Sequence, residues 1–280
     1  MSVGDEYPRI KRYPPWELWP ALGWLGLFFI VPLAIVAIYS LGTRGTYGGV
    51  VLDFSFANYL RAFDGIYIKI FLQSLLLAGS TTLACLLMGY PVAYVMATSR
   101  PAFKNLLVAL TVLPFWTNFI VRVYAIRALL PEGGQGGLAV AFGMLTNYLP
   151  FMILPLFVAI DRFDFTLIEA ARDLGAKPWQ VVFRVLIPQT QSGIITGCVF
   201  VFTPALGEFV IPDILGGAKS MLMGNLITEQ FLKTRDWPFG SALSLLMMSV
   251  VTLSLIFYIR SSGETGKAAH STRGAGAENG

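Results

Sequence analysis

Residues 19–41, WPALGWLGLFFIVPLAIVAIYSL, hold 23 positions without one Asp, Glu, Lys or Arg. As a helix rising about 1.5 Å per residue, such a run crosses the roughly 30 Å hydrocarbon layer of a bilayer. It is too long, and too poor in a small-residue cleavage site, for an ordinary signal peptide, so it is expected to remain as the first span. The rest of the chain has the same character. Its 280 residues are 55% hydrophobic and only 13% charged, where soluble domains carry about 25% charged residues. With a mean hydropathy of +0.67, lipid is the expected solvent.

Working outward, further apolar stretches cover about residues 71–98, 106–130, 138–160, 192–215 and 241–259, which with the first makes six spans. The expected architecture is an all-α integral membrane protein. It has an N-terminal segment (1–18), a transmembrane domain (19–259) and a tail (260–280). The tail is Gly, Ala, Ser and charge, too poor in apolar bulk to offset the entropy of ordering, and is expected to be disordered.

The distribution of Lys and Arg sets the orientation. With the N-terminus inside, twelve cations, among them Arg9, Arg100, Lys104, Arg162, Arg172, Lys177, Arg184 and Arg260, fall on the cytoplasmic side. Eight, including Arg44, Arg61, Lys69, Lys219, Arg122 and Arg127, fall on the other. The positive-inside rule then places both termini in the cytoplasm, as an even number of spans requires. Inner-loop cations facing lipid headgroups account for the net charge of +4 without any nucleic acid.

Several chemistries lack their residues. Cys85 and Cys198 lie in apolar runs with no CxxC neighbour and read as small buried hydrophobes. The single histidine, His270, is in the polar tail, so a histidine-based metal site has nothing to build on. Gly216–Ser220 resembles the end of a P-loop, but Ala218 stands where Gly must precede the Lys and no strand comes before it. ATP therefore has no site here, and no HExxH or GxSxG signature supports a membrane enzyme. The polar stretch 216–238 suits either docking of an external protein or plain solvation.

The most polar internal segment, residues 161–188, is expected on the cytoplasmic face. Thr166 and Glu169 match a capping box that would start a short helix. Ala170 and Ala171 continue it without bulk, and Gly175 can take the left-handed conformation that ends it. Pro178 suits the first turn of a second helix with Trp179, Val182 and Val185 or Leu186 as its apolar face, and Pro188 is expected to close it.

Glu169-Ala170-Ala171, three residues, Gly175, then Leu186-Ile187-Pro188 resembles the EAA loop of permease subunits of binding-protein-dependent ABC importers. Here Ile187 takes the place of the usual Leu before Pro188. The resemblance implies a type I importer-like permease in a bacterial inner membrane, with a cytoplasmic coupling helix. Glu169, Ala170, Ala171 and Gly175 would meet an ATPase subunit. It further implies a second homologous permease, two ATPase subunits holding ATP and Mg, and an external solute-binding protein.

Two more segments, residues 113–124 (LPFWTNFIVRVY) and 206–217 (LGEFVIPDILGG), are similar to segments of spermidine/putrescine permeases, and share features with permeases for ferric iron or opines. Glu208 and Asp213 lie in or at the end of the fifth span, where a charge costs a few kcal/mol or more unless it faces a cavity or partner. Both suit a polycation's pathway. Alternatively, Glu208 pairs with Arg122 or sits where Pro204 and Gly207 break the backbone, and Asp213 lies at the outer interface. Trp116 and Tyr124 offer cation-π faces or act as interface anchors. An ion-coupled secondary transporter with Glu208 as its ion site is the rival class.

Overall fold

The computed structural model describes residues 19–46, 48–131, 133–217 and 221–275, with side chains to residue 256. The N-terminal segment 1–18 and the P-loop-like residues 218–220, including Lys219, lie outside the described residues. Helix α1 (Trp19–Ser40) leads through a two-stranded hairpin, β1 (Thr43–Arg44) with β2 (Val50–Val51), and a short α2 (Ala57–Ala62) into α3 (Gly65–Thr98). Then come α4 (Pro101–Val112) with a 3-10 turn (Leu113–Trp116), α5 (Phe119–Leu129) and α6 (Gly137–Asp161). The loop region holds α7 (Thr166–Asp173), α8 (Pro178–Val181), a π-helical turn (Val182–Leu186) and α9 (Ile187–Gln189). The chain finishes with α10 (Gln191–Leu206), α11 (Val210–Leu215), α12 (Met223–Leu232) and α13 (Trp237–Ala275).

Among the described residues, four helices are long and apolar enough to cross a membrane, and the number rises to six if each of two bent pairs is one span. The expected third span is not straight: α4 with its 3-10 turn meets α5 at 93°. The expected fifth span, 192–215, is also interrupted. Its helix ends at Leu206, and α11 restarts at Val210. The α13 backbone is helical to Ala275. No proline follows Pro238, and extending a helix already nucleated in the membrane adds a hydrogen bond for each residue fixed.

The core is α3, α6 and α10 packed together. Lipid gives helices little hydrophobic reason to associate, so close contact through small residues does the work. On α3 the buried positions Ser74, Ala78, Thr81, Cys85, Gly89 and Ala93 recur every three or four residues, and on α10 Gly193, Gly197, Val201 and Ala205 recur every four. Both are single small-residue faces. At the end of α6, Asp161 accepts an ion-pair bond from Lys104 of α4, whose ammonium also lies 5.4 Å from the Phe157 ring.

Candidate functional site

The loop after α6 starts on a different cap from the one expected. Asp164 Oδ1 accepts from the Thr166 amide (3.0 Å) and from Thr166 Oγ1 (2.7 Å), so the Thr166 hydroxyl is a donor rather than the cap. Those bonds, the side-chain one first, hold the Asp164 carboxyl below its ordinary range. Glu169 lies exposed in the first turn of α7, where a carboxylate complements the helix dipole. Gly175 ends the helix as expected. With φ +81° it lets its own amide reach Arg172 O (2.8 Å) and the Ala176 amide reach Ala171 O (3.0 Å), a Schellman closure.

The second arm departs further. Its start is pinned by Gln180 Oε1 accepting from the Lys177 amide (2.8 Å). Its buried face is Val181 and Leu186, whereas Trp179 and Val182 are exposed. Pro188 does not close it, because the π turn before α9 shifts the bonding pattern, the Ile187 amide donating to Val182 O. The turn comes instead at Thr190, where the helix bends 71° into α10. Phe163, Ile168, Val181 and Leu186 form one buried cluster against Tyr90 and Tyr94 of α3, with Ala171 packed on it. Tyr90 Oη and Thr190 Oγ1 are hydrogen-bonded at 3.0 Å.

Deeper in the bundle, Glu208 sits in the break between α10 and α11 and is only 7% exposed. Its Oε1 accepts from the amides of Val210 (2.9 Å) and Ile211 (3.2 Å), and Oε2 accepts from Tyr148 Oη (2.5 Å). The carboxylate thus caps the first turn of α11, and those three bonds answer the cost of burying it. It makes no ion pair with Arg122. Among the described residues the ion pairs are Arg61–Asp236 and Lys104–Asp161.

Glu208 opens on a cavity of about 450 Å³ shared with Phe115, Phe119, Arg122, Asn147, Tyr148 and Phe151. Arg122 Nε and Asn147 Oδ1 are buried there without a hydrogen-bond partner among the described residues. The cavity exists because the 113–124 segment breaks: Asn118 Oδ1 accepts from the Ile120 amide (2.8 Å), starting α5 at a new angle. A larger groove, about 750 Å³, runs between α6 and α10 down to Phe163, Asp164 and Leu167. Phe115 and Phe151 line both spaces and meet edge-on, centroids 4.9 Å apart.

Of the residues singled out in the sequence, Glu208 and Arg122 come together. Trp116, 87% exposed, and Tyr124, also exposed, do not line the cavity. Asp213 is exposed and lines a separate space of about 560 Å³ with Asn225, Glu229 and Lys233. Asn147 and Tyr148 were not anticipated; the signal was two hydrogen-bonding residues side by side in the apolar run 138–160.

Residues 86–262 match the family described as binding-protein-dependent transport system inner membrane component. The chain belongs to that family. Over 260 residues the permease is 40% identical to the spermidine/putrescine transport system permease protein PotB of Escherichia coli (strain K12), covering 86% of this chain and 94% of that one. It is 39% identical to the protein of the same name from Haemophilus influenzae, covering 85% and 90%. Among solved structures, the permease is similar in fold to a chain of a bacterial ABC transporter that imports the acidic polysaccharide alginate. The TM-score is 0.69 at 15% identity, over 89% of this chain and 96% of that one. It is also similar to a chain of the MetNI methionine ABC transporter, with TM-score 0.57 at 18% identity over 69% and 93%. The family expected from residues 169–188 is the family found, and the fold is that of an ABC importer permease. This subunit is an inner membrane component of a transport system.

Proposed function

We propose that this permease translocates a polyamine such as spermidine or putrescine by alternating access. The observation that carries the substrate class is the 40% identity to a spermidine/putrescine permease along 86% of the chain. The cavity chemistry agrees with it. Among the described residues Glu208 presents a buried carboxylate with no direct cationic partner and Asn147 Oδ1 is an acceptor without a donor, and Phe115 and Phe151 supply ring faces to an ammonium. The route runs from this cavity past the Phe115–Phe151 pair into the groove that ends at the 161–188 loop. Trp116, Tyr124 and Asp213 drop out as cavity contacts.

In this reading both termini are cytoplasmic. The exposed Glu169, Ala170 and Gly175, with Ala171 beneath them, form the surface that an ATPase subunit grips. Two such subunits hold ATP and Mg, a second homologous permease completes the pathway, and an external binding protein delivers solute. This chain itself performs no covalent chemistry. The test is uptake of labelled spermidine and putrescine by cells expressing the whole system, with and without this subunit and with Glu169→Lys. ATP-dependent uptake lost in both altered strains is expected, and uptake that persists without the subunit overturns the polyamine assignment.

A second reading has its own support. Arg122 shares the cavity with Glu208, and a solute bearing both an amine and a carboxylate, such as an opine, would engage the two together. Competition of labelled spermidine uptake by an opine separates the two readings.

A further inference from the structure

Helix α2, between the first span and α3, is turned the wrong way round for a surface helix in water. Its hydrogen-bonding side chains face the protein. Asn58 Nδ2 donates to Ser40 O (3.0 Å) and Gly42 O (2.8 Å), Tyr59 Oη bonds Ser40 Oγ (2.8 Å), and Arg61 donates to Asp236 Oδ2 (2.7 Å). The Arg61 guanidinium also lies 4.0 Å from the centre of the Phe239 ring, so the only cation of α2 is held by the protein although 43% of its side chain stays exposed. What faces out is apolar. Phe56, Leu60 and Phe63 are 71%, 73% and 65% exposed. Phe56 and Phe63 cap α2 at either end, and the i, i+4, i+7 spacing of the three residues puts them on one side of this short helix.

We infer that this face is seated in the membrane interface, on the side opposite the 161–188 loop, as a lipid-facing anchor. The height is imposed by the chain: α2 lies between the end of α1 at Ser40 and the start of α3 at Gly65, both membrane spans. The side follows because α3 runs from Gly65 to the end where Tyr90 and Tyr94 pack on the loop cluster. Lipid is the occupant the chemistry favours. The side chains of Phe56, Leu60 and Phe63 carry no donor or charge, whereas a protein docking surface is normally about two-fifths polar with a hydrogen-bonding rim. Exposed Asp53 and Asp64 bound it at either end, marking where water begins. An apolar stripe of this kind rests at the headgroup–acyl boundary, about 5–10 Å deep. The inward bonds of Asn58, Tyr59 and Arg61 hold the stripe outward, and through Asp236 they tie it to the start of α13, where Asp236 Oδ1 accepts from the Phe239 amide (3.3 Å).

The test uses the assembled transporter in lipid nanodiscs. Leu60→Cys carries an environment-sensitive fluorophore in a chain with Cys198→Ala; Cys85 is wholly buried and escapes the reagent. The expected result is a blue-shifted emission that is lost when acyl-brominated phospholipid replaces ordinary lipid and is untouched by aqueous iodide. The same label at Asp53→Cys should show the reverse. Quenching at position 60 by iodide alone would mean a solvent face, and quenching by neither agent would mean a protein partner covers it. Either result overturns the inference.

Discussion

Replacing Gly193 by Ala should loosen the contact of α6 with α10, while the same change one helical turn later at Gly197 should not. A Cβ at position 193 would lie 2.4 Å from Ala159 Cβ and 2.9 Å from Pro155 O. Carbon atoms settle at about 3.5–4.0 Å, and neither obstacle is the free end of a flexible side chain, so α6 and α10 must separate. Overpacking of this kind costs about 1–3 kcal/mol, and rigid neighbours put position 193 at the upper end. Ala gains about 1 kcal/mol over Gly in a helix interior, less here because Gly193 is in the first turn of α10. The net loss is about 2 kcal/mol. At position 197 the nearest obstacle, at 2.6 Å, is Met152 Sδ, the far part of a flexible side chain. Moving it off its rotamer costs about 0.5–1.5 kcal/mol, which the helix gain cancels. The two variants should therefore differ about thirtyfold in folded-to-unfolded ratio. The assay is an SDS titration of the purified subunit followed by thiol labelling of Cys85, which is wholly buried in the α3–α6–α10 core. A Gly193→Ala midpoint equal to that of the unaltered chain, or a Gly197→Ala midpoint as low as that of Gly193→Ala, would refute the packing argument.

Tyr90→Phe removes the hydrogen bond to Thr190 while leaving Thr190 Oγ1 bonded to Leu186 O, so about 1 kcal/mol is lost and assembly should survive. If that bond keeps the loop and α3 moving together, ATP consumed per solute transported should rise in Tyr90→Phe and stay normal in Thr190→Ser; an unchanged ratio in Tyr90→Phe ends the idea. Glu208→Gln can keep its bonds to the α11 amides but not its charge. Uptake of a cationic solute should fall by about tenfold or more, the scale of one charged hydrogen bond, with assembly unchanged; full uptake would remove Glu208 from the pathway. Asp164→Ala takes away the acceptor that starts α7, so amide exchange at Thr166 should quicken relative to the α7 interior. Because the folded carboxyl is lowered, this support is complete above the ordinary carboxylate range and fades as pH falls through the folded value. Equal Thr166 exchange in the variant and the unaltered chain would show that the cap lies elsewhere.

The loop and the spans were legible to different depths. Gly175 could be placed from its neighbours alone, because a Schellman closure needs only nearby carbonyls and a residue at ease with positive φ. The same helix begins at Thr166 as expected, but its capping group was misassigned, because Asp164 and Thr166 both suit a cap and only the backbone angles decide which oxygen points at the free amide. Pro188 misled for a related reason: a proline ends a helix unless a π turn before it absorbs the missing donor, and that turn leaves no plain mark in composition. The break after Leu206 was offered by Pro204 and Gly207, but the one at residues 117–118 was hidden inside an apolar run, since hydropathy registers solvent and not direction.

Composition and run length by themselves determined that the chain is helical and dissolves in lipid, and the residues from Glu169 to Pro188 carried the resemblance to its family, because both are local properties that survive without knowing which helices touch. Tertiary structure alone decided that Tyr148, 60 residues earlier in the chain, completes the shell of Glu208. It also decided that Arg122 shares the Glu208 cavity while Asp213 does not, and that α2 turns its phenylalanines outward. Each of these depends on where distant helices cross and how they are rotated. That is set by the fit of small residues against neighbours across the bundle, information the linear pattern does not carry.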